Sequence, residues 1–187
     1  EDHGRKSIRL KGYDYSLPGA YFVTIISWRR ACLFGEVVDG TIRNNKIGQT
    51  IKYCWFYILK NFPNIELDEF VVMPNHLHGI LYILESDSKG EAFSKTDVSS
   101  DDEDLENASP LRPRGTKAGS LGAVIQNFKS VSTRLVNKRF FEPGNKLWQR
   151  NYHERIIRND RELSAIRQYI GNNPAFWDED EENPANT

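Results

Sequence analysis

Val71-Val72-Met73-Pro74-Asn75-His76-Leu77-His78-Gly79-Ile80-Leu81 consists of two apolar, β-branched runs hinged at Pro-Asn, and two of the chain's four histidines lie in it one residue apart. Successive side chains of a strand point to opposite faces. The spacing therefore puts His76 and His78 on one face, partly exposed, with Leu77 turned into the core. Two neutral imidazoles side by side form a ready pair of ligands for a divalent metal. Taken alone, an H-x-H pair reads more readily as two histidines on a solvated strand face. Residues 65–73 and 76–84 are strands, joined so tightly that either a hairpin or one kinked, bulged strand is possible.

Working outward, residues 20–28 are β-branched and aromatic and predict a first strand. Val37-Val38-Asp39-Gly40-Thr41-Ile42 carries an Asp-Gly hairpin signal between short strands. Residues 45–61 predict a helix, with Ile47, Ile51, Cys54, Trp55, Ile58 and Leu59 three or four apart, ended by Pro63. Residues 121–138 repeat that spacing, with basic side chains along the other side. Residues 147–157 predict a strand of alternating charge. Asn159-Asp160 caps a last helix over 161–172, closed by Pro174. Hairpins mixed with helices imply an α+β fold of one domain, an antiparallel sheet with helices packed on its faces.

At 187 residues the chain is long enough for one domain with a real core. No run approaches the roughly 20 apolar residues of a membrane span, and the polar residues 1–11 carry no signal-peptide pattern. Cys32 and Cys54 lack metal or redox spacing and read as buried free thiols, which suits a reducing cytoplasm. The net charge of −1 hides an asymmetry. Nine of the 26 acidic residues lie between Glu85 and Glu106 and five between Asp178 and Glu182, with Lys89 and Lys95 the only cations there. The remainder holds 23 basic and 12 acidic residues, a net of about +11, which reads equally as a nucleic-acid binder or as an ordinary solvated surface with a positive excess. The chain thus divides into a basic arm over 1–18, a domain over 19–175 with a mobile acidic insertion at about 85–117, and a loose acidic tail over 176–187.

In the last helix, Leu163, Ile166 and Ile170 have core-facing spacing, while Tyr169 and Asn173 are four apart and share a side. A phenol and an amide oxygen opposite an H-x-H strand would give a nucleophile and three metal ligands. Tyr152-His153 is a rival pair for the nucleophile.

At these residues the chain resembles a known family. Val72-Met73-Pro74-Asn75-His76-Leu77-His78-Gly79 resembles the HUH motif of the single-tyrosine transposases of IS200/IS605 type. Tyr169-Ile170-Gly171-Asn172-Asn173-Pro174 is similar to the tyrosine motif of its REP-associated branch. Gly19-Ala20-Tyr21-Phe22-Val23-Thr24 and Leu147-Trp148-Gln149-Arg150-Asn151-Tyr152 look like further landmarks. The resemblance covers roughly residues 10–175. It implies a ferredoxin-like, IS200-transposase-like sheet and a metal-dependent transposase that cleaves and rejoins single-stranded DNA. His76, His78 and Asn173 would hold Mg²⁺ or Mn²⁺, and Tyr169 would form a 5′-phosphotyrosine. Asn173 stands where some members carry a longer Gln. Single strands or DNA hairpins would be the partners, met in the cytoplasm with no membrane, by a monomer or a homodimer. Lys129, Arg134, Lys138, Arg139, Arg150, Arg155 and Arg158 would pair phosphates, and Arg5, Lys6, Arg9 and Lys11 would clasp a hairpin foot. An HUH replication or relaxase-type nuclease, and a catalytically silent nucleic-acid-binding module, remain open.

Overall fold

The computed structural model describes residues 12–85 and 117–186. Arg5, Lys6, Arg9 and Lys11 and nearly all of the acidic insertion lie outside the described residues. Four strands form one antiparallel sheet: β1 (Gly19–Ile26), β4 (Ile65–Val72), β5 (His76–Ile83) and β6 (His153–Ile157), in the order β4-β5-β1-β6. The strands β2 (Gly35–Val38) and β3 (Thr41–Asn44) make a separate hairpin. Its turn places Asp39 and Gly40 both at positive φ, 50° and 68°, the backbone that an Asp-Gly hairpin turn requires. Among the described residues three α-helices complete the fold: α1 (Lys46–Asn61), α2 (Leu121–Phe140) and α3 (Asp160–Asn172). Each starts at a side chain that accepts from the first turn's N–H groups, namely Asn45, Ser120 and Asn159, which satisfies donors that a helix start leaves open.

The Pro74-Asn75 junction is a tight hairpin. β4 pairs antiparallel with β5, Val72 opposite Leu77, and the Met73 N–H donates to the His76 carbonyl at 2.8 Å. Alternation along the strands then divides the molecule into two faces. On one, Tyr21, Val23 and Ile25 of β1 and Leu77, Leu81 and Ile83 of β5 pack with Trp55 of α1 and Phe128 of α2 in the main core. On the other, Ile80, Ile157, Ile166 and Ile170 form a smaller cluster beneath α3. Gly79 lies under the Trp55 indole, and a Cβ there would come within 2.5 Å of Trp55 Cζ2. This close approach requires glycine.

Three sequence expectations need correction. Residues 147–157 do not form one strand: Trp148 makes a single bridge to Ser27, and β6 begins only at His153. The interruption has a cause, since the Lys129 ammonium donates to the carbonyls of Gln149, Arg150 and Asn151, which draws that backbone away from ladder pairing. Cys54 is buried as expected, but Cys32 is exposed. The acidic tail is not loose either. Residues Asn173–Glu179 form a 3-10 turn running on from α3. Beyond it, Arg30 clamps the tail by donating to the Glu181 carbonyl at 2.7 Å and pairing with Glu182 at 3.3 Å.

Candidate active site and metal centre

His76 and His78 point from β5 toward α3, away from the main core, with ring centroids 4.4 Å apart. Both are buried, 0% and 3% exposed, which corrects the expectation of partial exposure. The reason is that α3 and the tail cover this end of the sheet. Asn75 is the fastener. Its Nδ2 donates to the Arg30 carbonyl at 3.0 Å and to the Glu182 carbonyl at 2.6 Å, so its Oδ1 faces His76 Nδ1 at 2.8 Å. An amide oxygen only accepts. His76 therefore carries its proton on Nδ1 and turns the Nε2 lone pair toward Asp180, where that atom is buried without a hydrogen-bond partner. His78 Nδ1 meets Thr24 Oγ1 at 2.8 Å, and its Nε2 lies 3.3 Å from the Tyr169 hydroxyl. Fixing one ring nitrogen so that the other can bind a metal is the usual support for a histidine ligand.

Burial holds the His76 imidazole down to about 4, with Asp180 and Asn173 acting the other way. Burial, and then His76 itself, depress His78 well below the ordinary value. Both rings are thus neutral ligands at neutral pH. The third atom within reach comes from a residue that the sequence reading missed. Asp180 Oδ2 lies 3.9 Å from His76 Nε2, and His76, His78 and Asp180 each place one ligand atom within 4.8 Å of the other two. Asn173, 3% exposed, donates from Nδ2 to Asp180 Oδ2 at 2.9 Å. Its Oδ1 is buried with no partner. Asn173 is thus at the site, both as the orienter of Asp180 and as a free amide oxygen. Two neutral imidazoles, a carboxylate and an unpaired amide oxygen form a donor set suited to a divalent cation of the Mn²⁺ or Mg²⁺ kind.

Tyr169 stands 48% exposed on α3. Phe22 packs against both it and His78, with centroids at 6.1 and 5.4 Å. Burial, followed by the carboxylates of Asp180, Glu181 and Glu182, pushes the phenol up to about 12. Tyr169, His78, Thr24 and the acidic residues 179–182 line a cavity of about 450 Å³. His153 lines it too, because it sits opposite Thr24 on β6. Its neighbour Tyr152 faces the other way, against the main core with the Lys129 ammonium 5.5 Å from its ring, and does not line the cavity.

The cations expected to bind phosphates separate into groups. Lys129, Arg134, Lys138 and Arg150 line a groove beside α2, and Arg139 is exposed in the last turn of that helix. Arg155 pairs with Glu162 of α3 at 3.5 Å. The Arg158 N–H donates to the same carboxylate, while its side chain is exposed.

Comparison with known proteins agrees with this geometry. The family described as "Transposase IS200 like" matches residues 115–173, a stretch that ends on Asn173 and includes Tyr169. A protein of Haemophilus influenzae with no assigned function is 38% identical over 181 residues, which is 96% of this chain and 93% of that protein. The structure of a REP-associated tyrosine transposase bound to a REP hairpin superposes with a TM-score of 0.54 at 18% identity, covering 89% of this chain and 72% of that one. The fold is that of the tyrosine transposases. Over residues 115–173 the chain matches the IS200-like transposase family.

Proposed function

We propose that the protein is a metal-dependent transposase of the REP-associated kind that cleaves and rejoins single-stranded DNA or a DNA hairpin through Tyr169. The observation that carries the reading is the Tyr169 hydroxyl 3.3 Å from His78 Nε2, beside a buried histidine nitrogen and an amide oxygen that both lack partners. His76, His78 and Asp180, with the Asn173 oxygen at hand, would hold the cation. A divalent cation there supplies Lewis-acid stabilisation of the charge on a phosphoryl oxygen. The Tyr169 oxygen attacks phosphorus, the P–O3′ bond breaks, and the 3′ oxygen leaves and takes up a proton. The phenolic proton goes to solvent on the exposed side of the ring. The phosphodiester energy is kept in the tyrosyl ester, so that a 3′-hydroxyl can reverse the step and reseal the strand.

The tyrosine faces histidines of its own chain, which supports action by a monomer. The basic surfaces position the backbone. Among the described residues no helix is long and apolar enough to cross a membrane. A DNA substrate makes the cytoplasm the proposed place of work. Labelled single strands and hairpins incubated with Mn²⁺ or Mg²⁺ test the reading. A denaturation-resistant protein–DNA adduct that maps to the Tyr169 peptide supports it. An adduct on the Tyr152 peptide, or cleavage without an adduct, overturns it.

A further inference from the structure

Beside α2 lies a groove of about 720 Å³, larger than the Tyr169 cavity and separate from it. Ser130, Thr133, Arg134 and Asn137 of α2 form one wall, and Lys146 and Arg150 stand on the other. Pro143, Leu147 and Trp148 make an apolar floor. Among the described residues no carboxylate lines it, in contrast to the acidic cavity at Tyr169. The walls are braced. Lys129 ties down the carbonyls of residues 149–151, and Trp148 Nε1 donates to Ser132 Oγ at 2.9 Å. Asn137, 7% exposed, donates from Nδ2 to the Asn145 carbonyl at 2.9 Å. Its Oδ1 is buried and has no partner. A buried acceptor without a donor is unfavourable, and a ligand N–H that reaches it would remove that cost.

An apolar floor, an unpaired amide acceptor and a rim of cations together fit one chemical class: a flat heterocycle with an amino edge, attached to a phosphate. The position adds a direction. Residues 147–149 ride on the end of β1 through Trp28 N–H to the Leu147 carbonyl and Gln149 N–H to the Ile26 carbonyl, at 2.8 and 2.9 Å. The same segment runs three residues past Arg150 into His153, which lines the Tyr169 cavity. We infer that this groove seats one unpaired nucleotide of the strand being cut, close to the phosphate that faces Tyr169. The inference rests on the DNA-cleaving reading above and deepens it: the enzyme grips the strand at two places of opposite charge. Arg134 and Arg150 take phosphates, and Asn137 accepts from the amino edge of adenine, cytosine or guanine.

The test uses the full chain carrying Tyr169→Phe and a fluorescent 30-nucleotide single strand of mixed sequence, followed by anisotropy. Ser130→Trp fills the groove from the exposed side of α2 and should weaken binding about tenfold. Arg134→Gln with Arg150→Gln should reduce the slope of log affinity against log salt by about 1.4, two phosphate contacts at roughly 0.7 each. Lys46→Gln on α1, outside the groove, should change neither. Strands carrying 5-iododeoxycytidine, which keeps the amino edge, should cross-link to the peptide of residues 143–150. Binding by a correctly folded Ser130→Trp protein at wild-type strength overturns the inference. So does free dAMP saturating the protein as tightly as the strand, since that marks a mononucleotide site. Wild-type protein that never cleaves, while the groove variants still lose affinity, overturns the Tyr169 chemistry and leaves the groove standing.

Discussion

The two faces of the sheet are built from the same strands and behave as different materials. Behind β5, Leu77, Leu81 and Ile83 meet α1 and α2 in a core of large apolar side chains, close enough that Gly79 has room for no Cβ. In front, His76, His78, Ile80 and Tyr82 face α3 and the tail, over a small apolar cluster and a polar cavity. Period-two alternation lets the back face carry most of the hydrophobic stabilisation. The front face is thereby free to hold unpaired nitrogen and oxygen atoms that a stability-driven core would exclude.

The sharpest way to break this division of labour is Tyr169→Phe. It removes one oxygen from a half-exposed ring, so the melting temperature should stay within a degree or two. The covalent adduct should disappear entirely from a denaturing gel. Next come His76→Ala and His78→Ala, each expected to abolish Mn²⁺ binding in calorimetry along with cleavage. Each also costs stability, because both rings are buried. A variant that keeps full metal affinity would remove the front face from the chemistry.

The opposite experiment is Gly79→Ala. Its methyl collides with Trp55 on the back, so overpacking should cost about 1–3 kcal/mol, read as a lower denaturant midpoint. The remaining folded protein should still bind metal. If metal binding is lost while stability is kept, the two faces are not separable. A smaller effect is expected from pH in the presence of a chelator. The His76 imidazole is held at about 4 in the folded state, against 6.5 as its ordinary value, so protons bind the unfolded chain better. Stability is then full above about pH 6.5, falls as the pH drops and levels off below about 4, a loss on the order of 3 kcal/mol for this one group. His76→Gln should flatten that slope. Smallest should be Asn173→Ala, which frees Asp180 but leaves it in reach. It should weaken Mn²⁺ binding about tenfold, the low end for the loss of one supporting contact.

The front face was only partly legible in the sequence. His76, His78 and Tyr169 stood out because strand and helix periods, together with the Met-Pro-Asn lead, place them without tertiary information. Asp180 did not, since a run of five acidic residues reads as a solvated tail. It is anchored by contacts of Asn75 and Arg30 to carbonyls 107 and 151 residues away, and backbone acceptors leave no trace in side-chain patterns. The exposure of the imidazoles was misjudged for the same reason, because the cover comes from that tail. The back face was the reverse case. Trp55, Ile58, Val124 and Phe128 were spaced for a core and form one. Trp148 turns its indole inward to Ser132, and the carbonyls that follow it are held by Lys129 rather than by a neighbouring strand, which ended the expected strand.

The wide separation of the parts of the site has a kinetic consequence. Thr24 and His78 are 54 residues apart, Tyr169 and His78 are 91 apart, and the Arg30 clamp on the tail spans 151. Contacts of such separation come late, because each requires the closure of a long loop before it returns any energy. The α1–β4–β5 unit, contiguous from Lys46 to Ile83, can condense first with the histidines already in register. A refolding chain should therefore bury Trp55 before it can take up Mn²⁺. Half-folded protein would then carry the two histidines, yet be unable to cut DNA.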